Sequence, residues 1–436
     1  MNFRELIRFD NKKTDRYTKG GFSMSSSSKI RPNYMESDAQ LSSAALFLYA
    51  VICGSAVATV YYSQPLLDAI ALDFGINSTI IGTVITVTQI CYAFGLLFLV
   101  PLGDLLDPRR LVTGMLLFLA IALSIVALAS NTLFLFIGMG MVGFQAVVAQ
   151  ALVALAANRA SLHSRGRAIG VVTSGIVIGI LLGRTISGTL ADMAGWRSVY
   201  IVTAVIMICM AYLFLTVTPA TRRPPSQNTY RGMLSSMKDL FVQIPLLRIR
   251  GLLGFFIFSD FSILWSSMVL PLSSPPLSFS HSVIGLFGLA GIAGALAASS
   301  AGRLADRGLG QRTTGIALLL LMFSWIPIGF LQHSMLLFII GVVTLDFAVQ
   351  AVHVTNQSII LSVRPEARSR LTAGYMIFYS LGSATGALAS TWIYSWAGWF
   401  GVCILGILVS MIAVFFWACT LKMSYRSTHA QQPFNI

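Results

Sequence analysis

Between residues 41 and 421 the chain alternates long apolar runs with short polar turns: 42–65, 78–102, 110–129, 132–157, 168–191 and 197–218, then 251–273, 282–302, 313–331, 335–361, 371–393 and 399–421. About 20 apolar residues cross a bilayer as a helix, and in lipid only a helix or a closed barrel satisfies its own backbone. Each run therefore predicts one transmembrane helix, twelve in an all-α membrane protein. The runs form two groups of six, 41–218 and 251–421. Between them lies a polar linker, 219–250, with Arg222-Arg223-Pro224-Pro225 and a pattern that predicts a short amphipathic helix from Leu234 to Val242. Residues 1–40 are polar and basic, with a serine run from Ser25 to Ser28, and predict a disordered tail rather than a signal peptide or a span. Met24 and Met35 each serve as well as Met1 for a start of translation, and 422–436 is a second short tail.

Composition changes the picture little and charge changes it more. The chain is 56% hydrophobic and 10% charged, against roughly 25% charged in a soluble domain. A net charge of +14 would suggest nucleic acid as partner in a soluble chain. Here all of the 29 Lys and Arg residues except Arg184 and Arg197 lie in the two tails, the linker and alternate turns. That distribution satisfies the positive-inside rule with both termini in the cytoplasm and an even number of spans, so the charge reports topology and no nucleic-acid partner is expected. Five isolated cysteines, Cys53, Cys91, Cys209, Cys403 and Cys419, have no ligand-like spacing, so neither a metal nor a cofactor is expected.

The two groups of spans repeat one another. Arg165-Gly166-Arg167 recurs as Arg368-Ser369-Arg370, Gly195-Trp196 as Gly398-Trp399, and Gly179/Gly183 as Gly382/Gly386, each at an offset of 203. Two six-helix bundles related by an axis along the membrane normal would produce such matches, with a substrate site between them near the midplane. A charged turn is also duplicated. Gly302-Arg303-Leu304-Ala305-Asp306-Arg307-Gly308-Leu309-Gly310-Gln311-Arg312 has a shorter copy 199 positions earlier, Gly103-Asp104-Leu105-Leu106-Asp107-Pro108-Arg109-Arg110.

Both turns resemble the G-x-L-A-D-R-x-G-x-R signature between the second and third spans of each half in the major facilitator superfamily of transporters. The second copy has one residue inserted; the first lacks the Arg after Asp107 and the Gly. The resemblance covers about residues 41–421 and implies twelve helices in two pseudo-symmetric bundles, working by alternating access. It also resembles that superfamily's exporters in two places. Gly175, Gly179 and Gly183 follow their fifth-span signature G-x-x-x-G-P-x-x-G-G, with Ile180 at the Pro and Arg184 at the last Gly. Tyr61-Tyr62-Ser63-Gln64-Pro65 is similar to the Y-Y-x-Q-P-L segment of arabinose-efflux-like and multidrug members. The resemblance implies a monomeric bacterial inner-membrane protein.

Within the spans the candidate chemistry is sparse. Arg184 lies in an apolar run about 24 Å from the cytoplasmic end of its helix, where a charge costs at least ~2.5 kcal/mol, so it is expected to meet an acid or an anionic substrate. Asp346 and Asp260 are the acids near mid-depth. Asp346, Gln350, His353 and Gln357 fall at i, i+4, i+7 and i+11 and make one helix face polar, as lining for an aqueous cavity. If Arg184 and Asp346 meet, protonation of the acid would open the pair; Asp260 is a second candidate proton carrier. Gln64, Gln89, Gln145, Gln150, Tyr61, Tyr375 and Tyr379 are further polar candidates for the cavity, while Asp192 and Arg197 read as a structural ion pair at the outer edge. The resemblance makes Gly103, Asp107, Arg109, Arg110, Gly302, Asp306, Arg307 and Arg312 candidates for a cytoplasmic gate, the acids capping helices or pairing with arginine. Gly175, Gly179, Gly183, Gly382 and Gly386 are expected to pack helices closely.

The expected function is secondary active transport of a small molecule, by proton-coupled export of drug-like or metabolite substrates. No Walker sequence is present to bind a nucleotide, and no nucleophile with a base suggests an enzyme. The nearer rival is a symporter or uniporter of an organic anion bound by Arg184. The rival of another class is a non-transporting sensor or scaffold on the same fold, indifferent to the loss of Arg184, Asp260 and Asp346.

Overall fold

A computed structural model describes residues 42–77, 79–160, 164–219, 229–364 and 367–429, without the side chains of Asp104, Arg165, Ser299, Asp306 and 422–429. The two expected tails up to residue 41 and from 430, the Arg222-Arg223-Pro224-Pro225 stretch and the Asp306 carboxylate lie outside the described residues.

Ten helices are long and apolar enough to cross a membrane: Ser43–Phe74, Pro108–Ala127, Thr132–Arg159, Gly166–Ala194, Trp196–Val217, Pro245–Ser273, His281–Leu304, Arg307–Gly329, Met335–Val363 and Arg368–Leu421. The last is broken at Gly398 and counts as two spans, and the shorter apolar helix Thr83–Phe98 is the second span, which brings the described spans to twelve. Spans are numbered one to twelve in that chain order. Helix starts follow local chemistry: the Asn131 and Ser334 side chains accept from the N–H of Phe134 and Leu337 and so cap the fourth and tenth spans. The first span tightens at Gln64-Pro65-Leu66, where Pro65 lacks an N–H, then continues to Phe74 and ends at the left-handed Gly75.

The repeat survives in the packing. Gly175, Gly179 and Gly183 set the fifth span against Ala50, Gly54 and Ala58 of the first, so closely that a Cβ at Gly179 would strike the Gly54 backbone. In the second half Gly382 and Gly386 meet Phe255 and Ser259. Glycines 203 apart thus meet partners 201 apart, 54 with 255 and 58 with 259. Gly195 and Gly398 repeat too, with φ of 80° and 61°, a conformation that glycine adopts without strain. Each turns the chain so that the tryptophan after it, Trp196 or Trp399, is buried.

Both described ends, residues 42 and 429, lie on the side that carries the basic turns, here called the basic side. On the opposite, far side the halves close on one another at several places. The fifth span meets the eighth, where Thr185 donates to the Gly285 carbonyl at 3.0 Å. The second meets the eleventh, where Thr86 donates to the Ala384 carbonyl at 2.9 Å. On the basic side the halves part around a cavity of about 230 Å³, reached by Gly103, Gln150, Asn158, Leu361, Arg368 and Ala373 among others. The linker helix, expected at Leu234–Val242, runs from Tyr230 to Gln243 beside that cavity. Tyr230 donates to the Phe98 carbonyl of the first half at 3.0 Å, while Phe241 packs on Phe378 of the second.

Candidate functional site

Arg184 is 1% exposed, although it is charged and sits in an apolar helix. The glycine seam below it brings in the first span, and Arg184 Nε donates to Gln64 Oε1 at 2.7 Å. Its guanidinium carbon stands 3.8 Å from the centre of the Trp265 ring, 5.0 Å from Tyr61 and 5.3 Å from Phe261. Desolvated cation–π contacts contribute about 2 kcal/mol, yet Nη2 has no hydrogen-bond partner.

Asp346 is also buried, and its Oδ1 accepts a hydrogen bond from Trp265 Nε1 at 3.0 Å. Arg184 and Asp346 are therefore brought to the same indole, and no ion pair joins them among the described residues: the Trp265 ring face takes the cation and its edge N–H donates to the anion. The arrangement crosses the molecule, with Gln64, Tyr61 and Arg184 from the first half and Phe261, Trp265 and Asp346 from the second.

Seven residues along the seventh and tenth spans, two helical turns nearer the basic side, lies a second tier. Phe258, Phe261 and Trp265 share a helix face at i, i+3 and i+7, as Asp346 and His353 do at i and i+7. Phe258 packs on Tyr379 with ring centres 3.8 Å apart and on His353 at 5.1 Å. His353 Nδ1 shares a hydrogen bond of 3.1 Å with the Tyr375 hydroxyl, and Tyr379 bonds the Tyr61 hydroxyl across the halves. The cavity on the basic side reaches the tenth span at Leu361, about two turns beyond His353. A molecule entering from the basic side would meet the aromatic tier first and Arg184 beyond it.

The remaining candidates scatter. Gln350 is half-buried against Gly294, and Gln357 is half-buried one turn beyond His353. Gln89 is buried, and neither its Oε1 nor that of Gln145 has a partner. Asp260 is not brought to Arg184. It occupies the face of the seventh span that carries Phe256, which packs on Phe416, and its Oδ2 accepts from Ser410 of the twelfth span at 2.7 Å. Asp107 caps the third span by accepting from the Arg109 N–H at 3.2 Å. Arg109 donates to the Leu215 carbonyl of its own half at 2.5 Å, Arg110, Arg307 and Arg312 are exposed, and a Cβ at Gly302 would meet only Val354.

Two expectations are corrected. Asp192 and Arg197 do not pair: Arg197 binds Asp73, and Asp192 accepts from the N–H groups of His281 and Ser282 across the interface. Five residues separate them, but the Gly195 turn points them to different neighbours. Arg250, grouped with the linker, is a buried residue of the seventh span that donates to Thr314 at 3.2 Å and Asn356 at 3.1 Å. Trp265 and Phe258 were not singled out from sequence, because aromatic residues in an apolar run give no signal of their own.

Trp265 offers a separable test. Trp265→Ala removes the surface beneath Arg184 and is expected to raise the KM for a transported solute tenfold or more, whereas Trp265→Phe keeps a ring face and should stay within about threefold. A KM for Trp265→Ala within threefold of the parent would take Trp265 out of the site.

The family model described as Major Facilitator Superfamily matches residues 46–259 and 250–435. "Uncharacterized transporter YgaY" of Escherichia coli O157:H7 is 43% identical over 405 residues, which cover 93% of this chain and 100% of that protein. "Purine ribonucleoside efflux pump NepI" of Escherichia coli O127:H6 is 24% identical over 211 residues, 45% of this chain and 52% of that one. Among solved structures, a bacterial homologue of the human lysosomal transporter Spinster, inward-facing and occupied, superposes with a TM-score of 0.69 over 89% of this chain and 97% of its own. At 14% identity that likeness shows the fold alone.

Proposed function

The chain belongs to the major facilitator superfamily, and from that premise we propose that it is a proton-coupled exporter of small planar or amphipathic molecules in a bacterial inner membrane. The basic side is the cytoplasmic one by the positive-inside rule, and the described ends, residues 42 and 429, lie there. The observation that carries the reading is the Trp265 indole, which takes the Arg184 cation of the other half on its face and donates its N–H to the Asp346 anion of its own half. Rocking of the halves separates or joins these groups, and a proton on Asp346 cancels the charge that Arg184 feels. A solute entering between the aromatic tiers competes for the same contacts, so its binding and the proton's are linked. The efflux activity in the name of NepI supports export, and a purine ring suits Phe258, Tyr379 and Trp265.

The test uses proteoliposomes with a pH gradient imposed in either direction and labelled purine ribonucleosides together with a panel of amphipathic amines and carboxylates. Accumulation on the acidic side, lost in Asp346→Asn although solute exchange without a gradient persists, is the expected result. Concentrative transport by Asp346→Asn, or accumulation on the alkaline side, would overturn it.

A second reading rests on Arg184 Nη2, a buried donor with no partner. A carboxylate or phosphate would satisfy it, and the protein would then be a symporter or uniporter of an organic anion. Accumulation of the carboxylates on the alkaline side is the outcome that favours this reading.

A further inference from the structure

On the far side, about two helical turns beyond Arg184 along the fifth span, the halves also meet at an imidazole. His281 is the first residue of the eighth span, in the second half. Its Nδ1 lies 3.0 Å from Asp192 Oδ1 of the fifth span, and its Nε2 lies 3.1 Å from Asp68 Oδ1 at the end of the first. Both acids belong to the first half. Asp192 is fixed further by the N–H groups of His281 at 3.2 Å and Ser282 at 2.7 Å. The approach is built close, since a Cβ at Gly188 of the fifth span would strike the His281 carbonyl.

A carboxylate only accepts hydrogen bonds, and a neutral imidazole has one N–H and one lone pair. With a neutral ring, one of these two contacts would set lone pair against lone pair. The imidazolium donates to both, and both bonds are then charge-assisted. The carboxylates stand at opposite ring nitrogens, so the three groups do not converge as ligands around one metal ion. Water reaches them, with side-chain exposures of 24% for His281, 19% for Asp68 and 26% for Asp192. Among the described residues no other charged side chain bonds the ring: Asp73, on the same helix as Asp68, is taken by Arg197 and by Trp196 Nε1, and the His281 turn adds only Ser280 and Ser282.

We infer that His281 is a proton-sensing lock on the far face, which holds the halves together there when its ring is doubly protonated and lets them part when it is not. The lock rests on the halves alternating and is independent of the solute carried. Parting the halves exposes the imidazole to water, where its ordinary titration lies near neutrality. Opening at neutral or alkaline pH therefore releases a proton, and acidifying the far side favours closure by up to about tenfold per pH unit, the limit for one linked proton. That proton returns to the side it came from, so the lock sets how readily the far face opens without entering the transport stoichiometry.

Spin labels test the lock on the full chain in lipid nanodiscs, with Cys91, Cys209 and Cys419 replaced by serine. One pair, Leu72→Cys with Ser278→Cys, spans the far face; a second, Thr216→Cys with Ser362→Cys, spans the basic side. The short far-side distance is expected to gain population between pH 8.5 and pH 5.5, and His281→Gln and Asp68→Asn should each abolish most of that response. If His281→Gln is not recovered folded, Asp68→Asn alone decides, because an amide can donate to a neutral ring and frees closure from the proton. A pH response retained in either variant overturns the lock. So does a far-side distance that stays fixed in the parent; if the basic-side pair still moves, alternating access stands without it.

Discussion

Replacing Arg184 with alanine is expected to abolish transport while leaving the melting temperature of the purified protein unchanged or higher. Burying a guanidinium costs several kcal/mol. Against that stand a stack on Trp265 of about 2 kcal/mol and one hydrogen bond to Gln64 of about 1.5–3 kcal/mol, with Nη2 left unmatched at a further cost of about 1–3 kcal/mol. The fold gains little or nothing from this side chain, which is the signature of a residue kept for function at the expense of stability. Arg184→Lys should fail as well, because an ammonium cannot lie flat on the indole and reach Gln64 together. The check is a thermal melt run beside a transport assay. A melting temperature lowered by more than about 5 °C with transport intact would make Arg184 a structural residue.

Gly179→Leu should remove the folded protein altogether. Its Cβ would fall on the Gly54 backbone, which cannot move aside as a side chain can, so the first and fifth spans would have to separate along their whole seam. Overpacking of an ordinary core costs about 1–3 kcal/mol, and this contact, backbone against backbone, exceeds that range. Gly170→Ala supplies the control on the same helix, since nothing lies within 4 Å of a Cβ there and alanine favours helix. Gel filtration of both variants after extraction decides: a monodisperse Gly179→Leu peak at the parent's yield would show that the seam does not need its glycine.

How much was legible follows from what a bilayer makes conspicuous. Twelve spans, their duplication and the charged residues within them stand out because polar atoms in oil are rare and costly. Arg184 and Asp346 were visible for that reason, and the polar face from Asp346 to Gln357 likewise. What was not visible is azimuth. Residue count places Asp260 and Asp346 at similar depth, but only the packing turns Asp260 towards Ser410 and Asp346 towards Trp265. The indole that both charges touch is an apolar residue in an apolar run and carries no mark in the sequence. At helix ends the difficulty reverses: Asp68 and His281 are unremarkable there because polar residues are the rule, Asp192 reads as half of a local ion pair, and only the meeting of three separate spans brings them together. Arg250 was grouped with the linker because nothing in the local pattern shows that its helix begins at Pro245.

The linker helix Tyr230–Gln243 works as a strut. Fourteen helical residues measure about 21 Å and do not stretch. Its anchorages belong to different halves: Tyr230 donates to the Phe98 carbonyl of the first, while Phe241 sits on Phe378 and Gly374 of the second and Gln243 accepts from Arg364 at 3.3 Å. Whenever the mouth on the basic side widens or narrows, one anchorage has to let go. The lone hydrogen bond to Phe98 yields before the packed ring and the Gln243 contact, so the strut stays with the second half.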